Sequence, residues 1–223
     1  MNKAKSATQA RKQKTLWLVE TAMLSAIVIL LSITPLGYLK TPLLEITFMM
    51  IPVAVASVAV GPMSGAIVGG VFGITSFLQC IGVGGYSVFG GVLFSISPIF
   101  TIILCIPTRI LAGLLPGCIA KAMSKIDKTK ILSSIVASLS AALLNTLFFV
   151  STFALLFGSQ WQTVTSDLET AFELALGTFG ITSLFDLLVF IVGTNGIIEA
   201  IVTAIVGSAI SIALIKALKR RFN

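Results

Sequence analysis

The chain has 223 residues, 57% of them apolar and only 10% charged, with 15 Lys+Arg against 8 Asp+Glu and no histidine. A soluble domain carries roughly 25% charge, so this composition excludes a water-soluble globule and describes a membrane protein with room for about six spanning helices of about 20 residues. It also excludes histidine metal sites and His-based catalytic triads and, with no G-x-x-x-x-G-K-[ST] motif, ATP hydrolysis by this chain alone.

Residues 1–15 hold Lys3, Lys5, Arg11, Lys12 and Lys14 without an acid and run straight into apolar Leu16–Thr34. A secretory signal has a shorter apolar core, about 7–15 residues, and ends at a small-residue cleavage site; this segment is read as a retained first span. A loop bounded by Pro35 and Pro42 follows, with Tyr38, Lys40 and the opposing charge Glu45. Ile46–Val60 is predicted as a second, short span kinked at Pro52. Gly61-Pro62 makes a tight turn into a third span, Met63–Cys80. Gly82, Gly84, Gly85, Gly90 and Gly91 around Tyr86 predict an uncharged loop. A fourth span, Val92–Ile119, is interrupted by Pro98, Pro107 and Pro116 and carries Arg109. Residues 121–130 hold four lysines and Asp127, and the fifth span is Ile131–Phe157. Gly158–Gly177, with Trp161, Asp167, Glu169 and Glu173, reads as an acidic loop. Phe179–Leu218 is too long for one span and is broken at Gly193-Thr-Asn-Gly196.

Charge decides the topology. With six spans, thirteen of the fifteen basic residues fall on one side, leaving only Lys40 opposite and Arg109 within a span; a seventh span would move the basic tail across. The positive-inside rule therefore predicts an all-α membrane protein of six transmembrane helices with cytoplasmic N- and C-termini. Its parts are a basic N-terminus (1–15), one membrane domain (16–218) and a basic tail (219–223). The last span is Asn195–Leu218, with Phe179–Val192 extracellular or re-entrant. Cys80, Cys105 and Cys118 lack C-x-x-C spacing and read as lipid-buried small residues without a disulfide.

Gly61, Gly65, Gly69 and Gly73 recur every fourth residue and place one bare helix face for close packing. Ala22 and Ala26, and Ala200, Ala204 and Ser208, form further small stripes. Glu20, Arg109, Asp186 and Glu199 lie within apolar segments, where an unpaired charge costs about 3 kcal/mol or more. Glu20 and Arg109 both sit toward the inner side and can pair. On the outer side Tyr38, Gln79, Tyr86, Asn145, Trp161, Asn195 and Glu199 are candidate substrate-binding residues, because amides supply donors and acceptors and rings supply stacking area. Asn195 is expected to cap the last helix, turning its free N–H groups outward toward an anion or carbonyl. Interfacial anchoring for Tyr86 and Trp161, and an interhelical hydrogen bond for Asn145, are the plainer alternatives.

Several runs carry a family resemblance: Ala22-Met-Leu-Ser-Ala26, Thr34-Pro-Leu-Gly-Tyr38, Ile46-Thr-Phe-Met-Met-Ile-Pro-Val53, Gly61-Pro-Met-Ser-Gly65, Ile106-Pro-Thr-Arg-Ile-Leu-Ala-Gly113 and Thr194-Asn-Gly-Ile-Ile-Glu199. Spread over nearly the whole chain, they resemble the substrate-binding S components of energy-coupling factor (ECF) vitamin transporters. Met50 stands where that group often has a histidine, and Thr108 separates Pro107 from Arg109 where it often has Pro-Arg. The resemblance implies a cell-membrane protein that captures a water-soluble vitamin outside. It would dock through Ala22 and Ala26 onto a transmembrane coupling subunit carrying two ATPases, and topple in the lipid to release its cargo. It implies no catalytic residue, metal, cofactor or nucleic-acid partner. Asn145-Thr with Thr194-Asn-Gly-x-x-Glu looks most like the pantothenate branch; components for pyridoxine, hydroxymethylpyrimidine and riboflavin share much of the skeleton. A stand-alone secondary transporter would show an internal repeat, and none is convincing here. A membrane enzyme would need a carboxylate pair such as Asp186 and Glu199. If Ala22 and Ala26 form the coupling face, Ala22→Trp and Ala26→Trp abolish uptake and complex assembly while leaving vitamin affinity intact; weakened binding by the isolated variants would remove that assignment.

Overall fold

The computed structural model describes residues 2–34, 37–40, 45–127, 129–172, 177, 180–181 and 183–222. With neither glycine nor proline before residue 35, the first helix, α1 (Asn2–Ile33), runs unbroken from the basic segment into the apolar one. An antiparallel hairpin follows, β1 (Tyr38–Lys40) against β2 (Glu45–Thr47), with Lys40 opposite Glu45. Apart from this small hairpin of two three-residue strands, the regular elements among the described residues are helical, as the all-α expectation has it. The second span is shorter than predicted: α2 (Met50–Val55) runs into a π-helical turn, Ala56–Val60. Pro52 falls in the first turn of α2, where its missing N–H breaks no helical bond, so no kink forms there.

Gly61, at φ 136°, ends that helix in a conformation that side chains resist, and Pro62 opens α3 (Pro62–Cys80) at the position where proline fits best. After a turn with Gly82, Gly84 and Gly85 at positive φ, Ser87 caps α4 (Val88–Ile96) by accepting the Gly90 N–H at 3.2 Å. Gly90 and Gly91 are therefore helical, where a loop was expected. The predicted fourth span is two helices, because Ser97 ends α4 and caps α5 (Pro98–Met123). Then α6 (Ile131–Phe157) takes the predicted bounds. Asp127 fixes its start: one carboxylate oxygen accepts the Thr129 N–H and hydroxyl, and the other accepts the Ser133 N–H at 2.9 Å. These donors hold the Asp127 carboxyl down at about 2.

The acidic "loop" contains a helix, α7 (Trp161–Phe172), joined to α6 by a 3₁₀ turn, Gly158–Gln160. Trp161, Val164 and Leu168 recur at helical spacing, and their apolar stripe packs on Leu93, Phe153 and Phe157. The last region departs most from expectation. A capping box between Ser183 and Asp186 starts α8 (Leu184–Ile191), which continues through a π-helical turn (Val192–Gly196), α9 (Ile197–Val202), a second π-helical turn (Thr203–Gly207) and α10 (Ser208–Phe222). Gly196 is helical at φ −62°, so Asn195 lies inside a continuous helix and not at a helix start. Asp186 serves as a helix cap, 13 positions before Glu199.

Among the described residues, five helical stretches are long and apolar enough to cross a membrane: Gln9–Ile33, Pro62–Cys80, Pro98–Met123, Ile131–Ala171 and Ile197–Ala217; Met50–Val60 is shorter. The most extensive contact is antiparallel, between α3 and α5. A side chain at Gly65 would strike the Gly113 carbonyl, one at Gly69 the Arg109 carbonyl, and one at Gly73 the backbone of Cys105 and Ile106. One core packs Met49, Met50, Val53, Val68, Phe72 and Ala112 around this contact, and a second gathers the phenylalanines of α4 and α6 with α7 and α8.

The Gly113 contact is the sharpest test of this packing. Gly113→Val, facing the Gly65 backbone, is expected to destabilise by at least ~3 kcal/mol, whereas Gly193→Ala, with no atom within 4 Å, stays within ~1 kcal/mol of the parent. Thermal unfolding in detergent reads both, and equal losses would refute the packing asymmetry.

Candidate solute-binding site

Away from the lysine-bearing 121–130 segment, the C-terminal half of α3, the N-terminal half of α5, α4, α6 and the last helix enclose a cavity of about 120 Å³. Because α5 starts at Pro98 and α8 at Leu184, Arg109 and Glu199 lie ~16 and ~22 Å along their helices from that end. Both line the cavity, as does Asn145 of α6. Arg109 is 8% exposed, Asn145 5% and Glu199 3%, so all three have left bulk solvent and lipid for a shared polar interior.

Local chemistry holds each in place. Pro107 takes one N–H donor out of α5 and disturbs the turn before it. In that turn the Leu104 carbonyl accepts the Arg109 Nη1 at 2.7 Å together with the Thr108 hydroxyl. Arg109 Nη1 also donates to Thr108 Oγ1 at 3.1 Å. The guanidinium lies over the rings of Phe149 and Phe72, at 5.0 and 5.5 Å from their centroids, an attraction of about 0.5–2 kcal/mol when desolvated. Across the cavity Asn145 Nδ2 donates to Glu199 Oε1 at 3.3 Å. Two buried atoms of this set have no hydrogen-bond partner among the described residues, Arg109 Nε and Asn145 Oδ1.

Of the residues expected at the site, the structure brings Gln79, Asn145 and Glu199 together in the cavity wall. Gln79 also donates from Nε2 to the Ser32 carbonyl at 2.9 Å, tying the end of α3 to the end of α1. Tyr86 stands apart: it is 54% exposed and its ring covers Gly91. Trp161 also lies outside the cavity lining and packs against the phenylalanine core. Tyr38 and Asn195 are placed by backbone alone, their side chains lying outside the described residues; Tyr38 pairs in register with Thr47, a cavity residue. Ala22 and Ala26 are exposed on α1.

Sequence reasoning set Arg109 beside Glu20 and missed it as a cavity residue. The available signal was that the chain has one intramembrane cation and few intramembrane acids, so a shared polar interior was worth testing. Cys80 and Cys105 were also misplaced, because they line the cavity instead of facing lipid. Phe72, Phe149, Ser76 and Thr101 are also part of the wall, and no local motif marks them.

Spanning helices packed around a largely apolar cavity that carries a few buried polar groups define a class, the membrane-embedded solute-binding bundles. Within it, the family model for the ECF transporter substrate-specific component matches residues 17–211, and the chain belongs to that family. It is a family of transporters, not of enzymes, whose members pair with a coupling subunit and ATPases and bind a small-molecule substrate. No curated protein matches the chain.

Proposed function

We propose that this protein is the substrate-binding subunit of an ECF-type ABC transporter for a compact, carboxylate-bearing vitamin, with pantothenate the best candidate. The observation that carries this reading is the pair of unpartnered buried atoms, Arg109 Nε and Asn145 Oδ1. Each such atom costs about 1–3 kcal/mol while unmet, and a bound solute that supplies the partner recovers it. The guanidinium calls for a carboxylate, and the amide oxygen calls for a hydroxyl or N–H. Pantothenate has a carboxylate at one end and an amide and two hydroxyls toward the other. Its carboxylate would meet Arg109, its hydroxyls Asn145 and Glu199, and its methyl groups the rings of Phe72 and Phe149.

Size supports the same choice. At ~10–15 Å³ per water, a 120 Å³ cavity holds roughly ten waters, which suits a compact solute and not the fused rings of riboflavin. Pyridoxine- and hydroxymethylpyrimidine-type solutes bring a ring for Phe149 but no carboxylate for Arg109.

In the proposed topology α1, Met50–Val60, α3, α5, α6 and 184–222 are the six membrane helices, with the lysine-rich end and both termini cytoplasmic. The cavity then faces outward, with the hairpin of Tyr38, the turn of Tyr86 and the segment around Trp161 and Asn195 near its mouth. Exposure of Ala22 and Ala26 beside exposed Met23, Leu30 and Ile33 supports docking of α1 on the coupling subunit with its two ATPases, in the cell membrane. Uptake into proteoliposomes by this chain alone would instead favour a secondary transporter.

Calorimetry with pantothenate and pantothenol, which carries an alcohol in place of the carboxylate, tests the site. Pantothenate should bind at least about tenfold more tightly to the parent protein, Arg109→Gln should level the two, and Asn145→Ala should weaken both about tenfold. Equal parent affinities would refute the carboxylate–Arg109 contact.

A further inference from the structure

A second cavity, of about 380 Å³, lies at the lysine-bearing end of the bundle. It is walled by the Gly61-Pro62 turn, by Lys121 and Ser124 at the end of α5, and by Lys130, Ser133 and Ser134 at the start of α6. No acid lines it. The neighbouring Asp127 carboxylate, which accepts the Thr129 donors and the Ser133 N–H, is not among the residues that line it.

Lys130 sits there against two local rules. It is the one non-glycine residue at positive φ (59°) among the described residues, a conformation that glycine and asparagine adopt with less strain. It also occupies the N-cap of α6, where a cation meets the positive end of the helix dipole and Ser, Asp or Asn would fit better. Departures of this kind are expected where function requires the residue. Exposed apolar side chains flank the same end: Ile126 is 88% exposed, Leu132 57% and Ile135 40%. Cationic groups inside a pocket with apolar groups beside it match an amphiphile, whereas a free inorganic anion would leave Leu132 and Ile135 without a counterpart.

We propose that this pocket binds the phosphodiester headgroup of an anionic phospholipid, with Lys121 and Lys130 contacting the phosphate and the acyl chains lying along Leu132 and Ile135. Basic pockets between membrane helices hold such headgroups by charge and shape together. The site is separate from the vitamin cavity and does not depend on which vitamin that cavity takes.

The test uses the full chain purified in neutral detergent, with Tm measured after adding phosphatidylglycerol, phosphatidylcholine or inorganic phosphate. Phosphatidylglycerol should raise Tm by roughly 5 °C, the other two should not, and the rise should shrink with added salt. The double variant Lys121→Ala, Lys130→Asn should lose the rise. Lys130→Asn alone should be at least as stable as the parent in plain detergent, since asparagine relieves the backbone strain. Equal stabilisation by phosphatidylcholine, or a full rise in the double variant, overturns the proposal; the same rise with inorganic phosphate alone overturns the lipid as its source. Should the double variant not fold, native mass spectrometry of Lys121→Ala decides, with retention of phosphatidylglycerol at the parent level counting against the site.

Discussion

Helices in lipid gain no hydrophobic energy by leaving their solvent, so they associate where backbones can approach closely enough for dispersion and polar contacts to act. In this molecule that approach occurs along α3 and α5, where Gly65, Gly69 and Gly73 meet Gly113, Arg109 and Cys105. The chemistry of the cavity depends on it. Gly69 rests on the carbonyl of Arg109 itself, so the residue bearing the guanidinium is anchored at one of the closest points between the two helices. One turn away, Gly73 seats Cys105 and Ile106, which aligns Thr101, Leu104 and Cys105 along the cavity wall. The glycine stripe is thus packing in its immediate cause and positioning in its consequence.

A fixed cation inside a membrane helix needs compensation, and here it comes from several weak sources. The Leu104 carbonyl, the Thr108 hydroxyl and two phenylalanine faces share the guanidinium, and Glu199 lines the same cavity. None of these uses Nε. Under the proposed carboxylate contact, that unmet donor would also make the site selective: a solute lacking a suitable acceptor would leave Arg109 desolvated and unpaired, and discrimination on that basis is steeper than any from apolar contact alone.

Legibility followed the range of the interactions involved. Met63–Cys80 and Ile131–Phe157 were readable because their ends are local, set by Gly61-Pro62 on one and by the lysine segment on the other. Gln79, Asn145 and Glu199 were readable because polar side chains are rare in apolar helices. The α7 helix was not, since its acids masked the stripe of Trp161, Val164 and Leu168, whose burial depends on α4 and the end of α6. The place of Arg109 in the cavity wall is not legible, because helix order in space, which sets α5 against both α3 and α6, is a property of the whole bundle.

Glycine shows the same limit most clearly, because one residue type does opposite things at Gly61 and Gly196. At Gly61 the backbone takes φ 136° and the helix ends; at Gly196 it stays at φ −62° and the helix goes on. At Gly61 the cause is local, because Pro62 follows it, and at Gly196 it is tertiary. Nothing lies within 4 Å of a side chain placed at Gly61, while one at Gly196 would press on Thr146 of α6 at 3.0 Å, so there the glycine serves a close crossing. Gly207, at the end of the second π-helical turn, also faces α6, where a side chain would meet Ser138 at 3.6 Å, an ordinary packing distance. The two widened turns therefore bracket α9 along its seam with α6 and hold Glu199 between two contact points, opposite Asn145. Each π turn admits an extra residue per turn without breaking the helix, which is how Gly193-Thr-Asn-Gly196 passes through a membrane bundle as a bend in register and not as a loop.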